Sequence, residues 1–557
     1  MRQANPVCSG RASLHRSRLA LMILVWAYIP ALAEAPPTHT APAPGESPQP
    51  AAVASTADWP MWGGRPDRNM VSNQRNLPAE WSVNEKRNLK WVAPVGSQTF
   101  GNPVVAGGKV FIGTNNGKRR NPAIKGDKGV LMCFAEADGR FLWQAVHDKL
   151  EPPDELDWPE IGICSTPCVL GNRAYYVSNR GELTCLDTEG FLDGTNDGPV
   201  RNEKAHGPAD ADFVWTLDMV RELGVSPHQA STSSPLVWGD LVFVVTGNGT
   251  DIAAEKVPTP QAPSFIAVNR TTGRLVWGDS SPGDRILAGQ WSAPACSLVN
   301  GRPQVVFPGG DGWIYAFEPA TGRPLWKFNC NSHLPADVAA DRGSLGHAVA
   351  TPVFVDNKVF IAVGHAPESG NDGPGCLWAI DATKSGDVTA APVWRYTADE
   401  FAHSISTVAI HNGLLYVAEL RGFLRCVDVS NGTPLWMHDL GSSTWASPMV
   451  ADGKVYIGTE DGDLFVFAEG REDKLLAKNQ MKQTICSTVT PANCTLYIVD
   501  RSHLYAIAAG AAPPATQPAT VPVTQAVLSR RLPHMAHSPA PKRRLAVFAY
   551  PPLGSGG

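Results

Sequence analysis

Between residues 58 and 509 short apolar runs alternate with Gly- and Asn-containing turns, and the alternation recurs. One unit reads Ser/Thr-Pro, a short apolar run, a Gly or Asn turn, a second run, a Gly turn, a third run ending in an acid, then Thr-Gly and a Trp. The clearest copy is Ser292-Ala-Pro294, Gln304-Val-Val-Phe307, Gly310-Asp-Gly312, Trp313-Ile-Tyr-Ala-Phe-Glu318, Thr321-Gly322 and Trp326. Another runs from Ser447-Pro448 through Lys454-Val-Tyr-Ile-Gly458 to Asp463-Leu-Phe-Val-Phe467. Apolar runs this short, bounded by turn residues, predict β-strands. Self-similarity at a fixed period predicts a repeat architecture.

The first strand of a copy opens at Pro103, Pro167, Pro235, Pro294, Pro352, Thr407, Pro448 and Thr488, which makes eight copies. Seven tryptophans close copies: Trp91, Trp143, Trp215, Trp277, Trp326, Trp394 and Trp436; the copy opening at Pro448 has Leu475-Leu476 instead. Trp91 precedes the first opening proline, and the last copy, Thr488 to Ala508, has three strands and no closing one. The chain is therefore expected to be all-β: an eight-bladed β-propeller of four-stranded antiparallel blades, with Asn88–Ala93 joining the last blade. Such closure hides open sheet edges. One third-strand position recurs as Cys133, Cys185, Ala267, Ala316, Ala379, Cys426, Val466 and Ala506, all small. Small residues there let neighbouring blades approach, with the Trp of each blade nearby. Met219–Gly224 reads as a turn or two of helix inside an insertion.

Composition fits this picture: 52 Gly and 48 Pro in 557 residues favour a turn-rich β protein, and 17 Trp argue against gross disorder. A net charge of −5 gives no electrostatic footprint for nucleic acid. Residues 1–33 read as a signal peptide: Arg2, Arg11, Arg16 and Arg18, an apolar run Leu19–Ile29 too short to span a membrane comfortably, then Ala31-Leu-Ala33. An uncleaved anchor is the alternative. Residues 34–57 read as a Pro/Ala-rich linker and 510–557 as a Pro-rich disordered tail, which places the propeller at 58–509. The tail carries Arg530-Arg531 and Lys542-Arg543-Arg544, a solvated tail or a contact with an acidic envelope surface. The expected location is the periplasm or cell envelope, with no transmembrane segment in the mature chain and no nucleic-acid partner.

Eleven cysteines in an exported chain invite a disulfide reading. Three occupy the small third-strand site and read as buried core residues. Cys486 and Cys494, on consecutive strands of the last copy, are the best disulfide candidate. The acidic loop Asp193-Gly-Thr-Asn196-Asp197-Gly198 could hold Ca²⁺ through Asp193, Asn196 and Asp197, or be a turn stabilised by its own side chains. In a propeller all innermost strands run the same way, so residues ahead of each strand opening collect at one channel mouth. Among them are His228, Trp291, His347, His403 and Trp445. Indole faces stack on flat ligands and imidazoles donate to oxygen, so these five are the candidate ligand-binding set; the alternative is packing and loop anchoring.

Ala267-Val-Asn-Arg-Thr-Thr-Gly273 to Trp277, Ala316-Phe-Glu-Pro-Ala-Thr-Gly322 to Trp326, and Cys426-Val-Asp-Val-Ser-Asn-Gly432 to Trp436 resemble the PQQ-like (pyrroloquinoline-quinone) β-propeller repeat. The lead-in Asp58-Trp-Pro-Met-Trp-Gly63 is similar to that of exported bacterial members without an assigned reaction. The resemblance implies one of two functions. One is a binding scaffold for an envelope protein or small ligand, akin to the outer-membrane β-barrel assembly lipoprotein. The other is a PQQ-dependent dehydrogenase oxidising an alcohol or sugar. The second implies PQQ between a Trp face and two adjacent cysteines, Ca²⁺ on Glu and Asn, and an Asp base. The sequence has no Cys-Cys pair, and no acid stands out as that base, so the scaffold is the expected function, with no catalytic residue nominated.

Overall fold

The computed structural model describes residues 57–152, 156–365 and 374–512; the expected signal peptide, nearly all of the linker and the tail beyond 512 lie outside them. Eight antiparallel sheets follow one another along the chain, each with four meandering strands, as the repeat predicts. The first blade holds Val104–Ala106, Lys109–Asn115, Lys128–Ala135 and Phe141–Asp148. In the eighth, Thr490–Ala492, Thr495–Val499 and His503–Ile507 are completed by Leu89–Pro94 from the N-terminal side of the first blade. Trp91 pairs with Ala506 in that closing ladder. In the sixth and eighth blades the first strand begins at Ala409 and Thr490. The equivalents of the opening proline are therefore Val408 and Val489, one residue beyond the threonines the sequence suggested. Among the described residues no helix is long and apolar enough to cross a membrane.

The recurring Trp and the recurring small residue are cross-strand partners. Trp143 faces Cys133, Trp215 faces Cys185, Trp277 faces Ala267, and Trp436 faces Cys426. The small partner lets the indole lie flat and reach the following blade. There its Nε1–H donates to a turn carbonyl: Trp143 to Thr188, Trp215 to Arg270, Trp277 to Pro319 and Trp394 to Val429. Trp326 instead donates to the Gln304 Oε1, and the Gln304 amide relays the link to the Ala382 carbonyl of the fifth blade. The turn glycines Gly139, Gly273, Gly322 and Gly432 pack against the same indoles, those of Trp91, Trp215, Trp277 and Trp394. Gly273 has φ +71°, and a Cβ there would lie 2.7 Å from the Trp215 ring. Gly273→Ala is expected to lose about 1–3 kcal/mol in urea unfolding, through backbone strain and a displaced indole.

Residues 57–74 form a circlet inside the ring, a feature without any repeat signature. Trp59 exchanges backbone hydrogen bonds with Val105 of the first blade, and the Pro60 carbonyl accepts from Val169 of the second. Pro66, Asp67 and Met70 accept from Cys296, Phe354 and Val450 of the fourth, fifth and seventh. The Asn69 amide pairs both ways with Ile410 of the sixth. Val71–Ser72 then adds a parallel fifth strand to Met449–Ala451. In the eighth blade, Ala57 accepts from the Asn493 amide and Gln74 from that of Cys494. Arg68 serves the third blade: its guanidinium donates to the carbonyls of Ser234 and Pro235, and also to those of Trp62 and Pro294. The innermost strands of a propeller leave polar backbone groups facing the axis, and the circlet satisfies them.

One disulfide expectation is corrected. Cys486 and Cys494 are both free: Cys486 precedes Thr490–Ala492 on the axial side, whereas Cys494 is exposed in the turn at that strand's far end. Cys133, Cys185 and Cys426 are free and buried.

Candidate functional site

Ahead of each innermost strand the backbone is extended, so residues two apart share a side. Each blade therefore presents two side chains to the axis, and together they enclose a cavity of about 180 Å³. The outer level contributes Phe100, Cys164, Trp291, Trp445 and Cys486 among others; the inner level carries six hydroxyls, the Asn102 amide and Ala293. The circlet closes the inner end. From it the half-buried Trp62 reaches the cavity, its indole N–H donating to the Thr351 Oγ1 at 3.1 Å. Phe100 and Trp445 stand 6.5 Å apart, ring centre to ring centre. Ligand sites more often reach about 300 Å³ or above, so this cavity suits a small ligand or one end of a larger one.

The five residues singled out at the mouth divide. Trp291 and Trp445 line the cavity. The three histidines do not: they are buried behind its wall. The His228 Nδ1 meets the Thr250 carbonyl at 3.1 Å, and its ring packs 5.8 Å from that of Trp291. His347 and His403 lie near each other outside the cavity: the His347 backbone bridges to Gly364, and Gly364 packs against His403. Burial, with His365, His403, Arg342 and His228 around it, pushes the His347 imidazole down to about 3. The mouth positions read from sequence missed Trp62, Thr351, Thr407 and Thr488. The last three follow from the two-residue alternation ahead of each strand; Trp62 has no periodic signal at all.

In the acidic loop the oxygens are engaged within the protein. The Asp193 Oδ1 accepts from the Thr195 N–H and Oγ1, both at 2.9 Å, and the Asp197 Oδ2 accepts from the Arg173 Nη2 at 3.0 Å. Asn196 donates to Glu203 and accepts from Arg201. This is the arrangement of a self-stabilised turn.

No acid, base or histidine lines the cavity among the described residues. Burial pushes the Cys164 and Cys486 thiols up to about 12, so both stay protonated at neutral pH. Glu460 lies behind Trp445; burial raises its carboxyl, while the indole hydrogen bond opposes that rise. Beneath the floor Arg68 is fully buried, and burial lowers its guanidinium to about 10, so the charge remains. The parts implied for PQQ and Ca²⁺ are not met by this donor set. The two cavity thiols come from different blades rather than adjacent positions, and the Asn102 Oδ1 is taken by the Thr488 N–H at 2.6 Å. Among the described residues no three ligating side chains come together for a metal ion.

Comparison with known proteins agrees with the blade-by-blade description. A family model described as "Outer membrane protein assembly factor BamB" matches residues 204–385 and again 375–509. The tetrathionate hydrolase of Acidithiobacillus ferrooxidans is 24% identical over 214 residues, 34% of this chain and 37% of that protein. The chain thus spans little more than a third of that relative's length. Among solved structures, a europium-containing methanol dehydrogenase superposes with a TM-score of 0.55 at 12% identity, over 80% of this chain and 91% of that one. BamB from Moraxella catarrhalis gives 0.47 at 15% identity, over 75% and 98%. The structural likeness establishes the fold alone. Because the family model spans more than half of the sequence and describes the repeat from which these blades are built, the chain belongs to the PQQ-like β-propeller repeat family.

Proposed function

We propose that this protein is an exported, non-catalytic binding protein of the cell envelope and that its binding site is the axial cavity. One observation carries the reading: the cavity is closed at its inner end by the chain's own circlet, walled by Trp62, Phe100, Trp291 and Trp445, and lined, among the described residues, by no group able to move a proton at neutral pH. Stacking and hydrogen bonding are available there, while alcohol oxidation needs a base within reach of the hydroxyl. Hydrolysis of a sulfur compound, suggested by the relative from Acidithiobacillus, needs an equivalent group to activate water. The cavity also favours a small ligand over a protein surface as occupant.

The test is a thermal-shift screen of the full chain against monosaccharides, amino acids, organic acids and inorganic anions, with PQQ plus Ca²⁺ as a separate arm followed by dye-linked alcohol oxidation. Expected is stabilisation by at least one small-molecule class that is lost in Trp291→Ala/Trp445→Ala, and no turnover with PQQ. A ligand present at about 100 times its Kd stabilises by about 2.7 kcal/mol, enough to read. Turnover with PQQ, or stabilisation indifferent to both tryptophans, overturns the proposal.

A further inference from the structure

The inner level of the cavity is a belt in which hydroxyl oxygens accept hydrogen bonds from neighbouring elements. The Thr407 Oγ1 accepts from the Thr351 N–H at 3.4 Å, the Ser447 Oγ from Thr407 at 3.0 Å, and the Thr488 Oγ1 from Ser447 at 2.9 Å. Across the first blade, the Asn102 Nδ2 donates to the Thr166 Oγ1 at 3.2 Å, and the Thr166 N–H to the Ser234 Oγ at 3.1 Å. The Thr351 Oγ1 accepts from the Trp62 indole at 3.1 Å. All six hydroxyl residues line the cavity, and each is more than nine-tenths buried.

A hydroxyl has one proton to donate. In these six the oxygen serves only as acceptor; among the described residues none donates to a protein atom. Six O–H donors are thus left to the cavity, and a buried donor without an acceptor is costly. Four of these accepted bonds come from backbone N–H groups and two from the Asn102 and Trp62 side chains; each takes one oxygen lone pair and turns the hydroxyl proton away from that donor. Below lies the Arg68 charge, whose four hydrogen bonds all go to neutral carbonyls, two of them on the cavity residues Trp62 and Ser234. Its neighbour Asp67 is paired with Arg65 at 3.3 Å. Convergent neutral donors above a buried cation make a site for negative charge, because preorganised dipoles need no reorientation to receive it. The protonated thiols of Cys164 and Cys486 add donors rather than repelling charge.

We propose that the axial cavity binds a small oxyanion head, organic carboxylate or inorganic, through the hydroxyl belt formed by Thr166, Ser234, Thr351, Thr407, Ser447 and Thr488. This rests on the reading of the cavity as the binding site and names its ligand class. A carboxylate on an apolar body would place that body between Trp291 and Trp445.

The test uses quenching of intrinsic tryptophan fluorescence, since three tryptophans line the cavity. Benzoate and sulfate are the two anion arms, and benzyl alcohol is the neutral control. Saturable quenching by at least one anion is expected, and which one responds tells a carboxylate ligand from an inorganic one. Thr407→Val/Thr488→Val should weaken that anion at least tenfold. Thr407→Ser/Thr488→Ser, which keeps both donors, should restore it and serves as the control for altered packing. Equal binding of benzyl alcohol and benzoate, unchanged affinity in the valine variant, or no response to either anion overturns the proposal. If other ligands still stabilise the protein through Trp291 and Trp445, only the oxyanion assignment falls; if nothing responds, the binding site falls with it.

Discussion

Arg68→Met is expected to lose about 3–5 kcal/mol of stability, the range for removing one side of a buried charged hydrogen-bond set. The guanidinium is fully buried and holds four carbonyls, from the third and fourth blades and from the circlet itself. Methionine fills much of the space but leaves those carbonyls without donors. Arg68→Lys should recover little, because one ammonium cannot reproduce a planar fork that reaches several carbonyls at once. The backbone adds to the effect: Arg68 has φ +64°, and a Cβ on Gly63 would fall 2.6 Å from the Arg68 Cα, so the turn is built around this residue. Equilibrium unfolding in guanidinium chloride, followed by tryptophan fluorescence, reads the loss. A variant as stable as the parent would show that the circlet is held by its backbone pairing alone.

The second large effect is a pH dependence centred on His347. Its imidazole is pushed from the usual 6.5 down to about 3, first by burial and then by His365, His403, Arg342 and His228. The folded state therefore refuses a proton that the unfolded chain accepts. The stability contribution is complete above pH 6.5 and is lost progressively as pH falls toward 3, at about 1.4 kcal/mol per unit, or on the order of 5 kcal/mol in all. Asp212 works in the opposite direction: its carboxyl is raised to about 6 by burial and by the neighbouring Glu203, Asp197 and Asp187. Its contribution is present at low pH and is lost as pH rises from 3.8 to about 6. The wild-type profile alone mixes the two. The difference between wild type and His347→Gln isolates the histidine, and that difference should shrink steadily from pH 6.5 to 4. A constant difference across the range would mean that His347 takes a proton in the folded state.

The repeat was legible because a blade is made locally. Strand, turn, strand and closing Trp lie within a few dozen residues, and the spacing of Trp143 from Cys133 or Trp277 from Ala267 carries the ladder register in the sequence itself. Ring closure was legible too, since a Trp without a blade and a blade without a Trp stand at opposite ends of the repeat region. The histidines misled because only the two side chains one and three residues ahead of each strand opening line the cavity, whereas His228, His347 and His403 share their alternation but lie further back along the chain and are buried behind the wall. Two features were decided only by the tertiary structure. The circlet is a single irregular segment whose partners come from all eight blades, so no short-range pattern announces that Trp62 reaches the cavity or that Arg68 lies beneath it. The hydroxyl belt consists of ordinary Ser and Thr residues drawn from six different blades, the fourth contributing Ala293 at that level and the first Asn102. They become a convergent set of donors only when the ring closes and each oxygen accepts a hydrogen bond from a neighbouring blade or from the circlet.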